Sequence, residues 1–155
     1  MADEAYLKVS DAKEAAAGAW MVVTLDKKKK VVLVSEGEGL ETFKKALDAS
    51  QVLWGLICVH GVDVRANVES VRRKLVQINW VGSGVKPMAR SNALGGKAKV
   101  GKLIKGVAAT IDATELFSGQ EIVDKLCAAG GAHKPTYYSF GDEKIDLGFY
   151  DPANK

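Results

Sequence analysis

The chain has 155 residues and a mass of 16.5 kDa, enough for one domain with its own core, since domains cluster near ~100–150 residues. Its 47% hydrophobic and 26% charged residues match an average soluble domain and exclude disordered, collagen-like and membrane-spanning chains. The longest apolar run, Val52 to Val59, falls far short of the ~20 residues that a membrane-crossing helix needs. Met1-Ala2-Asp3-Glu4 lacks the basic and apolar regions of a signal peptide, so a cytoplasmic protein is expected. Cys58 and Cys127 have no CxxC spacing and no third cysteine. They read as buried reduced thiols rather than as a disulfide or a zinc site.

The net charge of +3 is unevenly spread: Arg65 to Lys105 holds ten basic residues against Glu69 alone, a net of +9, and the remainder a net of −6. Such a distribution predicts one positive region on a mildly negative body, and so an acidic partner.

In chain order, Ser10 or Asp11 followed by Ala12, Ala15, Ala16, Ala17 and Ala19 predicts a short capped helix. Trp20–Leu25 and Val31–Val34, separated by Asp26 and Lys27 to Lys30, predict a hairpin with a charged tip. Leu40, Phe43 and Leu47 form the apolar stripe of a second helix. Val52–Val59 shows no polar alternation, which predicts a central strand covered on both faces. From Ser70 to Val81, Val76, Ile78 and Trp80 alternate with Gln77 and Asn79, a strand ending at Gly82.

Between Gly82 and Gly106, Pro87 suits a first helical turn. Val100, Leu103 and Ile104 share one side of a helical wheel, opposite Lys99, Lys102 and Lys105. Gly95 and Gly96 predict a kink in this long helix. A fifth strand is expected at Val107–Ile111, then a helix opened by the capping box Ser118-Gly119-Gln120-Glu121 and stopped at Gly130-Gly131. The tail after His133, with Tyr137, Tyr138 and Phe140, has no periodicity and is expected to be partly ordered or flexible. The element order implies an α/β fold, a mixed central sheet of about five strands sandwiched between helices.

Enzyme signatures are weak. Gly96-Lys97-Ala98-Lys99-Val100-Gly101-Lys102-Leu103 nears the phosphate-binding pattern G-x-x-x-x-G-K-[ST], but Leu103 removes the hydroxyl and no strand precedes it. His60 and His133 have no second metal ligand nearby. No serine has a GxSxG context and no cysteine a histidine at a suggestive spacing, so no catalytic residue, cofactor or metal is expected. Lys27–Lys30 reads as a solvated hairpin tip, with anionic lipid or an acidic protein as the functional alternative. Nucleic acid is not expected, because Trp80 is the one aromatic residue in the basic segment and lies on an apolar face.

Arg73-Lys74-Leu75-Val76-Gln77-Ile78-Asn79-Trp80-Val81-Gly82 resembles the strand that in coactosins reads lysine, apolar residues, then I-T-W-I-G. From there the chain lies beside coactosins without a gap through Arg90, Lys97 and Val100 to Ala129-Gly130-Gly131-Ala132. The order of elements is similar to that of the actin-depolymerising-factor homology (ADF/cofilin) family over residues 4–133, leaving 134–155 as a tail. The resemblance implies that fold and a non-enzymatic protein of the cytoskeleton that binds the sides of actin filaments without strong severing. Lys74 matches the lysine on which coactosin binding depends, and Arg90 an actin-contacting residue of the cofilin long helix. Gly95-Gly96 departs from the cofilins, and a helix loosened there would contribute less on docking.

These readings together give Lys74, Arg72, Arg73, Arg90, Lys97 and Lys102 as one docking ridge, built by a strand and the helix after it. The protein is expected to be a monomer, with weak contact to monomeric actin or anionic phosphoinositide also open. The competing expectation is a basic module for RNA or anionic lipid, with affinity that falls steeply with salt.

Overall fold

The apolar run that starts at Val52 needs cover on both faces and finds it at the centre of the sheet. The computed structural model describes residues 2–129 and 135–147. Its elements are α1 (Ala2–Ser10), β1 (Ala19–Leu25), β2 (Val31–Glu38), α2 (Leu40–Lys45), β3 (Val52–Arg65), β4 (Val68–Val81), α3 (Pro87–Leu94), α4 (Lys97–Leu103), β5 (Ala109–Ala113), α5 (Gly119–Ala129), β6 (Tyr137–Ser139) and β7 (Lys144–Asp146). The main sheet has the order β2-β1-β3-β4-β5. It is antiparallel except where β5 runs parallel to β4.

Side chains alternate across each strand, so the sheet has two cores. On one face Val22, Leu53, Ile57, Val76, Ile78 and Trp80 lie under Leu40 and Phe43 of α2 and Ile122, Val123 and Leu126 of α5. On the other, Met21, Val23, Trp54, Leu56 and Cys58 lie under Ala5 and Val9 of α1 and Val100 of α4. This is the helix-covered mixed sheet that the element order implies. Gly55 in the central strand leaves the space that the Phe43 ring occupies; a Cβ there would come within 2.6 Å of it. Phe43 in turn meets Trp20 and Phe117 at ring separations of 5.7 and 6.3 Å, which ties α2 and the loop before α5 to one core.

The first helix lies before Ser10, not after it. The alanine-rich stretch has helical propensity but no apolar stripe to bury, whereas Ala5 and Val9 in α1 are buried on the sheet. Asp11 instead closes a single turn, its carboxylate accepting from the amides of Lys13 and Glu14 at 2.8 and 3.0 Å. Strands β3 and β4 run further than expected, joined by Ala66 and Asn67, both at positive φ (45° and 70°). That is the two-residue hairpin geometry favoured by strand twist, but without the usual glycine to mark it.

The long helix breaks at Gly95-Gly96 into α3 and α4, as the two glycines predict. The strand expected at Val107 begins at Ala109. The capping box forms reciprocally: Ser118 N–H donates to Glu121 Oε2 at 3.0 Å and Glu121 N–H to Ser118 Oγ at 3.2 Å. The expected stop at Gly130-Gly131, like His133, lies outside the described residues.

Beyond residue 134, where the sequence shows no period, β6 pairs with β3 across His60–Val62 and β7 with β6. Three-residue strands are too short to leave a pattern. Phe140 is fully buried, and Gly18, at φ 81°, lets the chain pass so close that a Cβ there would fall on the Phe140 carbonyl. Asp142, in the β6–β7 turn, supplies the cap that Gly39 cannot, accepting from the amides of Leu40 and Glu41 at 2.8 and 3.1 Å. Burial pushes this carboxyl up, but those amides outweigh it and hold it below the ordinary aspartate range. A depressed carboxyl contributes stability above its unfolded pKa and loses it as pH falls through the folded value. Asp142→Asn is therefore expected to unfold at lower urea than wild type at pH 7, and the gap to close below about pH 4. A gap unchanged at pH 3 contradicts this.

Candidate functional site

Strand alternation decides where the basic triplet of β4 points. Lys74 pairs with Val59, Arg73 with His60 and Arg72 with Gly61. Val59 belongs to the core under α2 and α5, so Lys74 and Arg72 stand on that side of the sheet. Arg65, four residues after Gly61 on β3, shares this side by the same period of two. The last bond from the β5 side reaches Leu75, where Ala108 N–H donates to its carbonyl at 2.7 Å. Residues 68–74 thus belong to a hairpin that continues past β5. Lys74 is half-buried there and Arg72 exposed.

Arg73 points the other way and is engaged in the fold. Its Nε donates to the Ala15 carbonyl at 2.8 Å and its Nη1 to the Ala12 carbonyl at 3.1 Å, holding the loop between α1 and β1. His60 Nε2 lies 2.8 Å from the same Ala15 oxygen. Burial lowers the His60 pKa, the bond to Ala15 opposes this and the Arg73 charge adds to the lowering. The ring is neutral at pH 7 and donates through Nε2–H. Neighbouring Cys58 is a free thiol pushed up to about 11 by burial, against a smaller opposing effect of Arg73. Cys127 is also free but only half-buried, where the sequence predicts a buried thiol.

Arg90, Lys97 and Lys102 are exposed on α3 and α4. The buried Val100 fixes which way α4 faces, and Ala93 does the same for α3; both pack in the core that contains α1. The helix surface is therefore opposite Lys74. The single ridge expected from the sequence is corrected to two surfaces, because β4 alternates while both helices after it cover one face. One surface holds Arg65 and Lys74, the other Lys86, Arg90, Lys97, Lys99, Lys102 and Lys105, and Arg72, at the free edge of β4, lines a cavity together with Arg73 and Lys105. Among the described residues the ion pairs are Lys8–Glu36 at 3.2 Å and Lys44–Glu41 at 2.9 Å, and neither involves a residue of these two surfaces; by the alternation of β3 the buried Asp63 lies on the Lys74 side.

Among the described residues no cluster of three or more His, Cys, Asp or Glu could hold a metal, and no helix is long and apolar enough to cross a membrane. The geometry offers charged surfaces for an acidic partner. Sequence reasoning missed Arg65 as a member of the strand surface, since it requires knowing that β3 extends that far. It could not see that Arg73 is turned inward. Arg73→Ala removes two hydrogen bonds from a charged donor, leaving the Ala15 carbonyl with His60 alone, and is expected to cost about 1–3 kcal/mol of stability, while Lys74→Ala stays within about 0.5 kcal/mol. Urea unfolding of the two variants checks this, and equal effects contradict it.

The chain matches the model of the cofilin/tropomyosin-type actin-binding protein family over residues 1–126. It is 29% identical over 117 residues to coactosin of Dictyostelium discoideum, covering 73% of this chain and 77% of that one. The crystal structure of coactosin from Entamoeba histolytica superposes with a TM-score of 0.68 at 26% identity, covering 83% of this chain and 92% of the other. Human coactosin-like protein gives a TM-score of 0.69 at 19% identity over 82% and 93% of the two chains, a likeness of fold. The helix-covered mixed sheet thus has its counterpart in known proteins, and the chain belongs to the cofilin/tropomyosin-type family of non-enzymatic actin-binding proteins, on its coactosin-like side.

Proposed function

We propose that this protein binds along the sides of actin filaments, as a monomer of the cytoplasmic cytoskeleton, and does so without strong severing. The observation that supports the reading is that basic residues stand on opposite sides of one sheet, Lys74 on one and the basic residues of α3 and α4 on the other. A single flat acidic partner can cover one of them. A polymer offers two neighbouring subunits at once, and a wedge charged on both sides fits between them. Complementary charge of this kind speeds and orients encounter.

In this reading Lys74 and Arg72 form one contact and Arg90, Lys97 and Lys102 the other. Arg73 contributes indirectly, by fixing the loop between α1 and β1. Lys74 is half-buried, and a partly covered side chain loses less freedom on docking than a fully exposed one. The helix surface is broken at Gly95-Gly96, and by itself it gives only weak contact with monomeric actin or with an anionic phosphoinositide. Binding to two subunits also bridges them, which favours a decorated, intact filament over a shortened one.

Co-sedimentation with actin filaments tests this. Truncation of a desolvated interfacial charge costs ~2–5 kcal/mol, so Lys74→Ala is expected to weaken pelleting by more than tenfold. Arg90→Ala combined with Lys97→Ala should weaken it several-fold. Unchanged pelleting of Lys74→Ala, or filaments shortened by the wild-type protein, contradicts the reading.

A further inference from the structure

The turn between β1 and β2 carries Lys27, Lys28, Lys29 and Lys30 in succession, a run that in sequence reads as a solvated tip. In the fold it is a built loop. Asp26 Oδ1 accepts from the amides of Lys28 and Lys30 at 2.8 and 2.9 Å. Asp26 N–H donates to the Lys30 carbonyl, and Lys29 N–H to the Asp26 carbonyl, each at 2.9 Å. The Lys30 amide above all holds the Asp26 carboxyl below the ordinary range, so the ionised form that organises the turn persists further into acid than a free aspartate's. Lys29 sits at φ 59°, a conformation in which glycine or asparagine is the usual occupant and a lysine is strained. The loop is pre-shaped, and its lysines do not have to order its backbone on binding.

This tip also has a neighbour that the sequence does not reveal. Gly96, at the α3–α4 break, packs on Leu25, the last residue of β1, so closely that a Cβ there would overlap the Leu25 side chain. A Cβ on Gly95 would lie 4.0 Å from Lys29 Nζ. The tip therefore adjoins the corner from which Lys97 and Lys99 begin α4. No acidic residue occurs from Lys86 to Gly106, and none of these lysines takes part in an ion pair between described residues. Bringing so many like charges together opposes folding, and the opposition is relieved when an acidic surface covers them.

We infer that the Lys27–Lys30 tip completes the helix-layer surface and takes part in holding the acidic subunit that this surface meets. The inference rests on the proposed filament binding and adds a contact to it: a rim of charge that acts through the rate of encounter, and so through the affinity and its salt dependence.

Two variants test it by filament co-sedimentation over a salt series. Lys29→Gly removes one charge and relieves the strained φ, so its unfolding midpoint should be unchanged or higher while filament affinity falls about threefold. The triple variant Lys28→Ala, Lys29→Gly, Lys30→Ala should lose about tenfold and show a shallower dependence on salt. If the triple variant pellets as wild type while Lys74→Ala is lost, the inference falls and the filament reading stands. If wild type does not pellet at all, both fall. If the triple variant loses binding to phosphatidylserine vesicles but keeps its affinity for filaments, the tip serves a lipid surface and the inference is overturned.

Discussion

Consecutive residues of a β-strand face opposite ways, and this constraint governs what the basic segment can do. Arg72, Arg73 and Lys74 are adjacent in sequence, yet the register of β4 with β3 sends Lys74 and Arg72 to one side and Arg73 to the other. The helices that follow β4 return over a single face, where Val100 and Ile104 are buried. One stretch of positive charge along the chain thus becomes two surfaces in space. The central side chain of the triplet becomes a tie between β4 and the loop before β1. A different register by one residue would exchange these roles and place Lys74 among the loop carbonyls.

The fold was legible wherever burial imposes a period. The unbroken run Val52–Val59 announced a strand covered twice, Val76, Ile78 and Trp80 announced its neighbour, and Ser118 with Glu121 announced a helix start that forms as written. It was illegible where partners come from far along the chain. The alanines after Asp11 look helical until the packing of Ala5 and Val9 assigns the helix to the preceding residues. The β6–β7 hairpin has strands too short for any periodicity, and its place is set by Phe140 in the core and by Asp142 at the end of α2. Nothing local in Asp142 says that it caps a helix about a hundred residues away.

The candidate site divides along the same line. Charge composition located the basic segment, and the family likeness singled out Lys74 and Arg90, but neither could say that a sheet lies between them. Arg73 was indistinguishable from its neighbours in sequence because its role depends on two backbone carbonyls of a distant loop. The Lys27–Lys30 tip needed the third dimension for the opposite reason, since the nearby α3–α4 corner gives it meaning. The glycine pair at the helix break serves both helices: Gly95 ends α3 through its backbone amide, Gly96 opens α4 without a side-chain cap, and the corner closes on Leu25, bringing the tip alongside.

Lysine footprinting of the filament-bound protein against the free protein tests the division of charge most directly. An amine-acetylating reagent, read residue by residue, should find Lys74 protected together with Lys97 and Lys102, one contact on each side of the sheet. Protection confined to a single side, with the other as reactive as in the free protein, would contradict the two-surface account.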